Sequence, residues 1–167
     1  EHFFLFESND NTYGSHLHRQ VEGIFVLSGA LVVTVGTENR ELKEGEFFLI
    51  FPNQMHSLST TEHSRILLFL FNAGLCPAFE QYFYSSLPEF MPLSLSSLSS
   101  HGYLAWEQLQ KLWLGHSKKV ELVDPSQISY QNLLTESYMQ ILLADIFSML
   151  SLGARTPTTS PELSARI

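Results

Sequence analysis

The chain has 167 residues, of which 44% are hydrophobic and 16% are charged, and its formal net charge is -8 at pH 7. These values are typical of a globular protein with one ordinary domain and an appendage, and they exclude a disordered or collagen-like chain. Phosphate contacts need clustered basic side chains, whereas only 9 Lys and Arg are present. We therefore expect no sequence-specific DNA binding by these residues themselves.

Short apolar stretches separated by turn signals run from Phe3 to about Phe71, which is the pattern of an all-β sandwich or barrel. Gly, Asn and Pro supply the dihedral angles of tight turns, for example at Ser28-Gly29. The stretch 47–51 is apolar on both faces, which predicts cover on both sides. Residues 1–72 are thus predicted to form a β-barrel, with strands at Phe3–Glu7, Glu22–Leu27, Leu31–Val35, Glu46–Phe51 and Arg65–Phe71.

The strand pattern stops after Asn72, and residues 73–153 are predicted to be a connecting loop and a helical subdomain. Apolar residues recur at spacings of mostly three and four from Tyr103 to Leu114, which predicts an amphipathic helix. A loop over 115–124 should follow it.

A long second helix is predicted from Pro125 to Leu152, with Asp124 or Ser126 as its N-cap and Gly153 as its end. Residues 154–167 are small, polar and broken by prolines, which predicts a linker.

The long helix is apolar around much of its circumference, so it needs more cover than one small barrel provides. Packing against a second subunit would make the protein a homodimer, and burial within the same subunit is the open alternative. The candidate dimerisation residues are Leu134, Tyr138, Ile141, Leu142 and Leu150.

Four side chains form the candidate functional site. In an extended strand alternate side chains share a face, so His16, His18 and, if the strand stays regular, Glu22 point the same way. A strand that ends at Pro52 delivers a fourth residue, His56. Imidazole and carboxylate ligands suit Zn, Ni, Fe or Mn, and open coordination positions would admit an oxygen-bearing ligand. The alternative is that the same four residues form the polar floor of an effector pocket without a metal.

The segments around these residues resemble the two signature motifs of the cupin superfamily, whose small β-barrels often bind a divalent metal through three His and one Glu. His16, His18, Glu22 and His56 stand at the corresponding places, and Gln54 replaces the usual glycine of the second motif. The resemblance implies a double-stranded β-helix, or jelly-roll barrel, followed here by a pair of C-terminal helices.

The second motif has the form Gly45-x6-Pro52-x3-His56, and this form resembles the sensory domain of AraC-type (AraC/XylS) transcriptional regulators. The resemblance implies a barrel that binds a small effector, such as a sugar or small organic acid, and helices that form a homodimer. It also implies that DNA is bound only by a C-terminal helix-turn-helix domain, and that no cofactor is required. The segment 162–167 is similar to the opening of that domain.

A metal-dependent cupin enzyme, such as an oxygenase or a sugar isomerase, is the competing interpretation, and a dimerisation module with an empty barrel is a third. An enzyme needs a positioned acid or base, and beyond the ligand set only Tyr13 and Arg19 lie near the motif. We therefore expect a regulator without catalytic residues. The effector stays open because a one-residue slip in strand register would turn every side chain to the other face.

The compartment and the remaining histidines complete these expectations. One cysteine, Cys76, allows no intrachain disulfide, and the apolar run 1–6 is too short for a signal peptide or membrane span. We expect a cytoplasmic protein with no membrane partner. Because the chain starts at Glu1 and ends abruptly at Ile167, we also expect it to be part of a longer protein. Exposed loop or helix positions are expected for His2, His63, His101 and His116.

Overall fold

The computed structural model describes residues 3–114 and 125–155, and its description of side chains in the second range begins at residue 130. The helices are α1 (Pro77–Ser85), α2 (Ser100–Trp113) and α3 (Pro125–Met149). The strands are β1 (Phe3–Asn9), β2 (Thr12–His16), β3 (Val21–Val35), β4 (Glu38–Lys43), β5 (Glu46–Ile50), β6 (His56–Ser59), β7 (Ser64–Phe71), β8 (Ser86–Pro88), β9 (Leu93–Ser94) and β10 (Leu152–Ala154).

Strands β1 to β7, with β9, build two facing antiparallel sheets that share strand β3. The first sheet has the order β1-β7-β3-β5-β9, and in the second sheet β3 pairs with β4 and β6 while β6 pairs with β2. Residues 21–29 of β3 pair with β7, and residues 30–35 pair with β4. This barrel, followed by helices, confirms the fold class predicted from the sequence.

Strand β3 corrects the predicted turn at Ser28-Gly29. The two strands predicted at Glu22–Leu27 and Leu31–Val35 are one strand of 15 residues with a register shift between Val26 and Ser28. Gly29 has a φ of +75°, and a Cβ at this position would lie 2.1 Å from the carbonyl oxygen of His63. The glycine therefore lets the strand bend from one sheet into the other while it stays paired, instead of reversing it.

Alternation along the strands produces two separate apolar cores. Inward-facing side chains fill the barrel, and the buried members of this cluster are Ile24, Val26, Leu31, Val33, Leu42, Phe48, Ile50, Leu58, Ile66 and Leu68. Outward-facing side chains of the first sheet, such as Phe25 and Phe69, pack against the helices. The stretch 47–51 is buried on both faces for this reason, as its sequence predicts.

The helices cover the outer face of the first sheet. Trp106 of α2 stacks on Phe25 with ring centroids 3.9 Å apart. Helix α2 begins after Ser99, and the backbone N and the Oγ of Ser99 donate to the carboxylate of Asp145 on α3 at 2.7 and 3.0 Å. Trp113 Nε1 donates to Thr135 Oγ1 at 2.9 Å, which joins the two helices a second time. None of the helices in the described ranges has the length and apolarity needed to span a membrane.

The segment after Asn72 holds more regular structure than the sequence predicts. Helix α1 lies there, β9 extends the first sheet by pairing with β5, and β8 pairs with β10. The expectation that strands stop after Asn72 was therefore wrong, because two- and three-residue strands are too short to show an alternating pattern. Strands β2, β4 and β6 were missed for other reasons. The sequences of β2 and β4 are largely polar and exposed, and β6 has only 4 residues.

The end of the long helix also differs from the prediction. Helix α3 ends at Met149, and Leu152 to Ala154 form β10, so Gly153 lies in a paired strand instead of terminating the helix. Ala154, predicted as the first linker residue, belongs to the same strand. The predicted loop 115–124 and the rest of the linker, 156–167, lie outside the described residues, as does the side chain of Ser126.

The candidate dimerisation residues lie on different sides of α3, except for Leu150, which directly follows the helix. Leu142 is buried in the core shared with the barrel sheet, and Tyr138 and Leu150 pack partly against that core. Leu134 is half-buried, whereas Ile141 is 42% exposed. Packing within the same chain therefore explains the burial of Leu142 without a second subunit. Ile141 is the candidate whose side chain is exposed.

Candidate metal centre

Four side chains meet at one end of the barrel. His16 is the last residue of β2, His18 lies in the connection to β3, Glu22 is the second residue of β3, and His56 is the first residue of β6. Each residue offers one ligand atom, and these atoms all lie within 4.8 Å of one another. Glu22 and His56 are buried, and His16 and His18 are half-buried on the outer side of the cluster. The structure thus brings together all four site residues predicted from the sequence.

The arrangement of strands and connections that brings the four residues together differs from the predicted one. Strand β2 ends at His16, so His18 is not placed by strand alternation, and a new strand carries Glu22. His16 instead pairs directly with His56 across β2 and β6, next to a register shift between Tyr13 and His16. The connection 17–20 is fixed to the second motif, because the backbone N–H of Asn53 donates to the carbonyl of His18 at 2.8 Å.

Main-chain carbonyls orient all three imidazoles in the same way. The Nδ1 atoms of His16, His18 and His56 lie 2.8, 3.0 and 2.8 Å from the carbonyl oxygens of Gly14, Gln20 and Gln54, respectively. A carbonyl oxygen can only accept, so each Nδ1 carries its hydrogen. In a neutral imidazole the Nε2 lone pair is then free to bind a cation, and it is this atom of His18 and His56 that points to the centre of the cluster.

The carboxylate of Glu22 is the negative group of the cluster. Its Oε2 lies 2.9 Å from His18 Nε2 and 3.1 Å from His56 Nε2. Burial raises the pKa of the Glu22 carboxyl, but hydrogen bonds and charges from His18 and His56 outweigh burial and lower this pKa to about 2. The hydrogen bond to Glu22 raises the pKa of His18, against the opposing effect of burial. The site therefore holds a carboxylate that favours a positive charge beside it.

The spacing of the donor atoms fits a transition metal ion. Ligands at about 2.1 Å from an octahedral metal lie roughly 3.0 Å from their neighbours. The two distances from Glu22 Oε2, 2.9 and 3.1 Å, are compatible with that separation, as they are with hydrogen bonds between the same atoms. Three imidazoles and one carboxylate would leave a divalent ion able to take a further oxygen ligand, and the half-buried His16 and His18 lie on the side of the cluster nearer to solvent. The residues present thus fit a divalent metal and an additional oxygen ligand.

Gln54, which replaces a glycine usual in the second motif, is accommodated by the turn before His56. Its side-chain Oε1 accepts from the backbone N–H of Phe51 at 2.7 Å, and its carbonyl orients His56. Asn53 supplies the left-handed residue of this turn, with a φ of 62°. Gln54 therefore closes the turn with its side chain and leaves the cluster intact.

The other polar groups near the motif lie outside the cluster. Tyr13 and Arg19 are exposed. His63 is exposed and paired with Asp10 at 2.8 Å, and His101 is an exposed residue of α2, as predicted for both. His2 and His116 lie outside the described residues.

Comparison with known proteins places the barrel in a family. Residues 2–71 match the family described as the cupin domain. No curated protein matches the chain.

Solved structures resemble the barrel at low sequence identity. A conserved protein of unknown function from Streptococcus pyogenes is 19% identical, with a TM-score of 0.41, over 43% of this chain and 66% of that chain. A putative ethanolamine utilization protein from Salmonella typhimurium is 21% identical, with a TM-score of 0.39, over 42% of this chain and 58% of that chain. A cupin-2 domain-containing protein from Shewanella frigidimarina is 24% identical, with a TM-score of 0.36, over 40% of this chain and 66% of that chain. The matched region thus spans less than two thirds of each of these chains. With its antiparallel strands and its match over residues 2–71, the N-terminal barrel is a cupin domain.

Proposed function

We propose that this cupin domain binds a divalent metal ion through His16, His18, Glu22 and His56, and that a small oxygen-bearing effector binds to the metal. We further propose that the protein is the sensory and dimerisation part of an AraC-type transcriptional regulator. The observation that carries the metal proposal is that all three imidazoles direct Nδ1 to a carbonyl, which leaves Nε2 for the centre.

Charge favours the same proposal. If all three imidazoles are neutral, the lone pairs of His18 and His56 point at the carboxylate of Glu22 at 2.9 and 3.1 Å, which is repulsive unless a positive charge lies between them. A proton on an imidazole or a divalent metal ion can supply that charge. A bound Zn, Ni, Fe or Mn ion would act as a Lewis acid that fixes an oxygen ligand in its open positions.

Elemental analysis of protein purified without a histidine tag tests the metal proposal. The chain should retain about one equivalent of divalent metal after dialysis, and His18→Ala should lose it without unfolding, because the site lies at the barrel mouth. His63→Ala is the matched control, since His63 is exposed and lies outside the cluster. Metal content that is negligible in the unaltered chain, or equal in His18→Ala, would contradict the proposal.

A sensory role is supported by the surroundings of the cluster. The side chains that could serve as an additional acid or base, Tyr13 and Arg19, are exposed. Helix α3 presents the exposed apolar residues Tyr130, Leu133 and Ile141 on the side away from the barrel, which suits contact with a second copy. DNA would be contacted only by a further C-terminal domain, because the net charge of this chain is -8.

The structure also supports a route from the site toward that further domain. The guanidinium of Arg155 donates to the carbonyl oxygen of Pro52 at 2.5 Å, and Asn53, the next residue, bonds to His18. The backbone N–H of Arg155 donates to Ser85 at 3.1 Å, directly after β10. A ligand that shifts the loop at Pro52 would therefore act on the segment that follows β10.

The coding sequence that follows Ile167 tests the regulatory proposal directly. It should encode a basic segment with two helix-turn-helix units, and the full-length product should retard a promoter fragment that residues 1–167 leave unshifted. A stop codon directly after Ile167 would contradict the regulator and favour a metal-dependent enzyme.

A further inference from the structure

Three exposed aromatic residues, Phe4, Phe6 and Tyr13, border one open edge of the barrel. Phe4 and Phe6 of β1 are 39% and 41% exposed, and Tyr13 of β2 is 57% exposed. Strands β1 and β2 are the edge strands of the two facing sheets on this side. We call these three residues the aromatic rim.

The strand register places Phe4 and Phe6 on the inner face of the barrel. Phe4 pairs with Leu70, which pairs in turn with Glu22. Directly paired residues of an antiparallel sheet share a face and have Cβ atoms about 4.5 to 5.5 Å apart. Phe4 therefore stands on the face of Glu22, roughly 10 Å from it, with Leu70 between them. Phe6 pairs directly with Leu68, whose side chain lies in the barrel interior, so Phe6 is on the same inner face.

Tyr13 completes the rim from the opposite sheet. It pairs with Leu58, whose side chain faces the barrel interior. Its ring makes an edge contact with the ring of His16, with centroids 4.5 Å apart. The rim thus adjoins the half-buried side of the cluster, formed by His16 and His18.

The opposite edge of the barrel shows how this fold covers an apolar interior. There Phe90 packs against Phe48 of the inner core, with ring centroids 4.6 Å apart, and Arg40 lies 5.5 Å above the Phe90 ring. An aromatic side chain from outside the barrel closes that edge, whereas Phe4 and Phe6 retain about two fifths of their surface exposed.

We propose that the aromatic rim binds the apolar ring of the effector while two oxygen atoms of that effector coordinate the metal ion. This inference rests on the proposed metal site. A divalent ion with three neutral imidazoles and one carboxylate has a net charge of about +1, which favours an effector with one negative group. Aromatic hydroxy acids combine this charge with two adjacent oxygen donors and a ring.

Two small ligands that differ only in an aromatic ring test whether the aromatic rim binds such a ring. Mandelate and lactate have the same hydroxy-carboxylate group, but mandelate has a phenyl group where lactate has a methyl group. Titration calorimetry of the nickel-loaded chain should give a mandelate affinity on the order of ten-fold higher than that of lactate, because half-burying a phenyl ring stabilises by about that factor. The variant Phe4→Ala/Phe6→Ala should lose this preference and keep its lactate affinity.

Matched variants separate the rim from general effects on folding. Tyr103→Ala removes an aromatic side chain of similar exposure, 48%, from helix α2 and should keep the preference. Tyr13→Ala, at the exposed edge strand, should weaken mandelate binding alone and serves if the double variant fails to fold. Equal affinities for the two probes, or a preference that survives the loss of the rim, would overturn the inference. Nickel uptake is measured first, and its absence would instead overturn the metal site and the rim together.

Discussion

The Nε2 atom of His56 lies 3.1 Å from Oε2 of Glu22, although the two residues are 34 positions apart in the chain. His18 Nε2 approaches the same oxygen at 2.9 Å. Because carbonyl groups hold the Nδ1 atoms of both rings, the two imidazoles can donate to this oxygen only through protons on Nε2, and a metal ion bound between them would replace those protons. Protons and a bound metal ion would therefore compete for one position, and we expect pH to control the occupancy of the proposed metal site.

The folding stability of the metal-free protein should depend on the carboxylate of Glu22. The pKa of Glu22 is lowered from 4.5 to about 2, so its contribution is present above pH 4.5 and is lost as pH falls toward 2. The pKa of His18 is raised above 6.5, so the contribution of the imidazolium is full below 6.5 and is lost as pH rises through the raised value. The ion pair should therefore stabilise most between pH 4.5 and 6.5.

Urea unfolding of the metal-free chain and of Glu22→Gln checks this window. The variant should lose roughly 1 to 3 kcal/mol near the middle of the window and less at about pH 3 or about pH 9. Glu7→Gln, which breaks an exposed pair with Arg65, should lose much less than Glu22→Gln in this window. A difference between Glu22→Gln and the unaltered chain that is constant with pH would refute the assignment.

Substitutions at two adjacent residues of α3 should affect dimerisation and folding stability separately. Ile141 is 42% exposed and lies on the same side of α3 as the exposed Tyr130 and Leu133, whereas Leu142 is fully buried. Ile141→Glu should convert the proposed dimer to a monomer in sedimentation equilibrium with little change in unfolding free energy. Leu142→Ala should instead cost about 2 to 5 kcal/mol of stability. A dimer that survives Ile141→Glu, or an unaltered chain that is monomeric at about 100 μM, would count against this surface.

Gly23 should be intolerant of a methyl group. A Cβ at Gly23 would lie 2.1 Å from the ring of Phe69, which is almost fully buried among other aromatic rings. Gly23→Ala should cost roughly 1 to 3 kcal/mol, because the ring must shift within a packed core. Gly14→Ala is the control, since nothing lies within 4 Å of its added Cβ, and it should be nearly neutral. Similar unfolding free energies for the two variants would show that the core accommodates the methyl group.

The contact between Arg155 and Pro52 should hold the end of β10 in place. Arg155→Gln removes a short guanidinium bond, so the main-chain amide of residue 155, which donates to the carbonyl oxygen of Ser85 at 3.1 Å, should exchange its hydrogen several-fold faster. Metal binding should be unchanged, because Pro52 contributes no ligand. Arg65→Gln serves as the control, since Arg65 pairs with Glu7 on the other edge. Unchanged exchange at residue 155 would show that strand pairing alone fixes this segment.

The sequence was sufficient to predict which four residues cluster at the barrel mouth, but not the geometry that joins them. Residue type and spacing identify His16, His18, Glu22 and His56, whereas alternation in one strand does not describe how they meet. His18 reaches the cluster through carbonyl and backbone contacts in a connection, and backbone contacts of this kind leave no residue-type signal.

The remaining differences between the predicted and the observed features arise from the pairing of strands that are distant in the sequence. Glu38 to Lys43 form a strand although most of them are polar, because β3 supplies the hydrogen bonds. Gly29 appears in the sequence as a turn residue, and only its pairing with Ser64 shows that the strand continues. The aromatic rim could not be predicted from the sequence either. Phe4 and Glu22 share a face of the sheet because each of them pairs with Leu70 of β7.

Strand β3 has a consequence for how the domain comes apart. It pairs with β4, β5, β6 and β7, and so takes part in both sheets. Neither sheet can therefore melt while the other keeps its full set of partners, and the barrel should unfold in one cooperative transition. Glu22 belongs to this strand, so a state that retains half of the barrel would also lack the metal centre. Loading the centre with metal should consequently raise the unfolding temperature of the whole barrel.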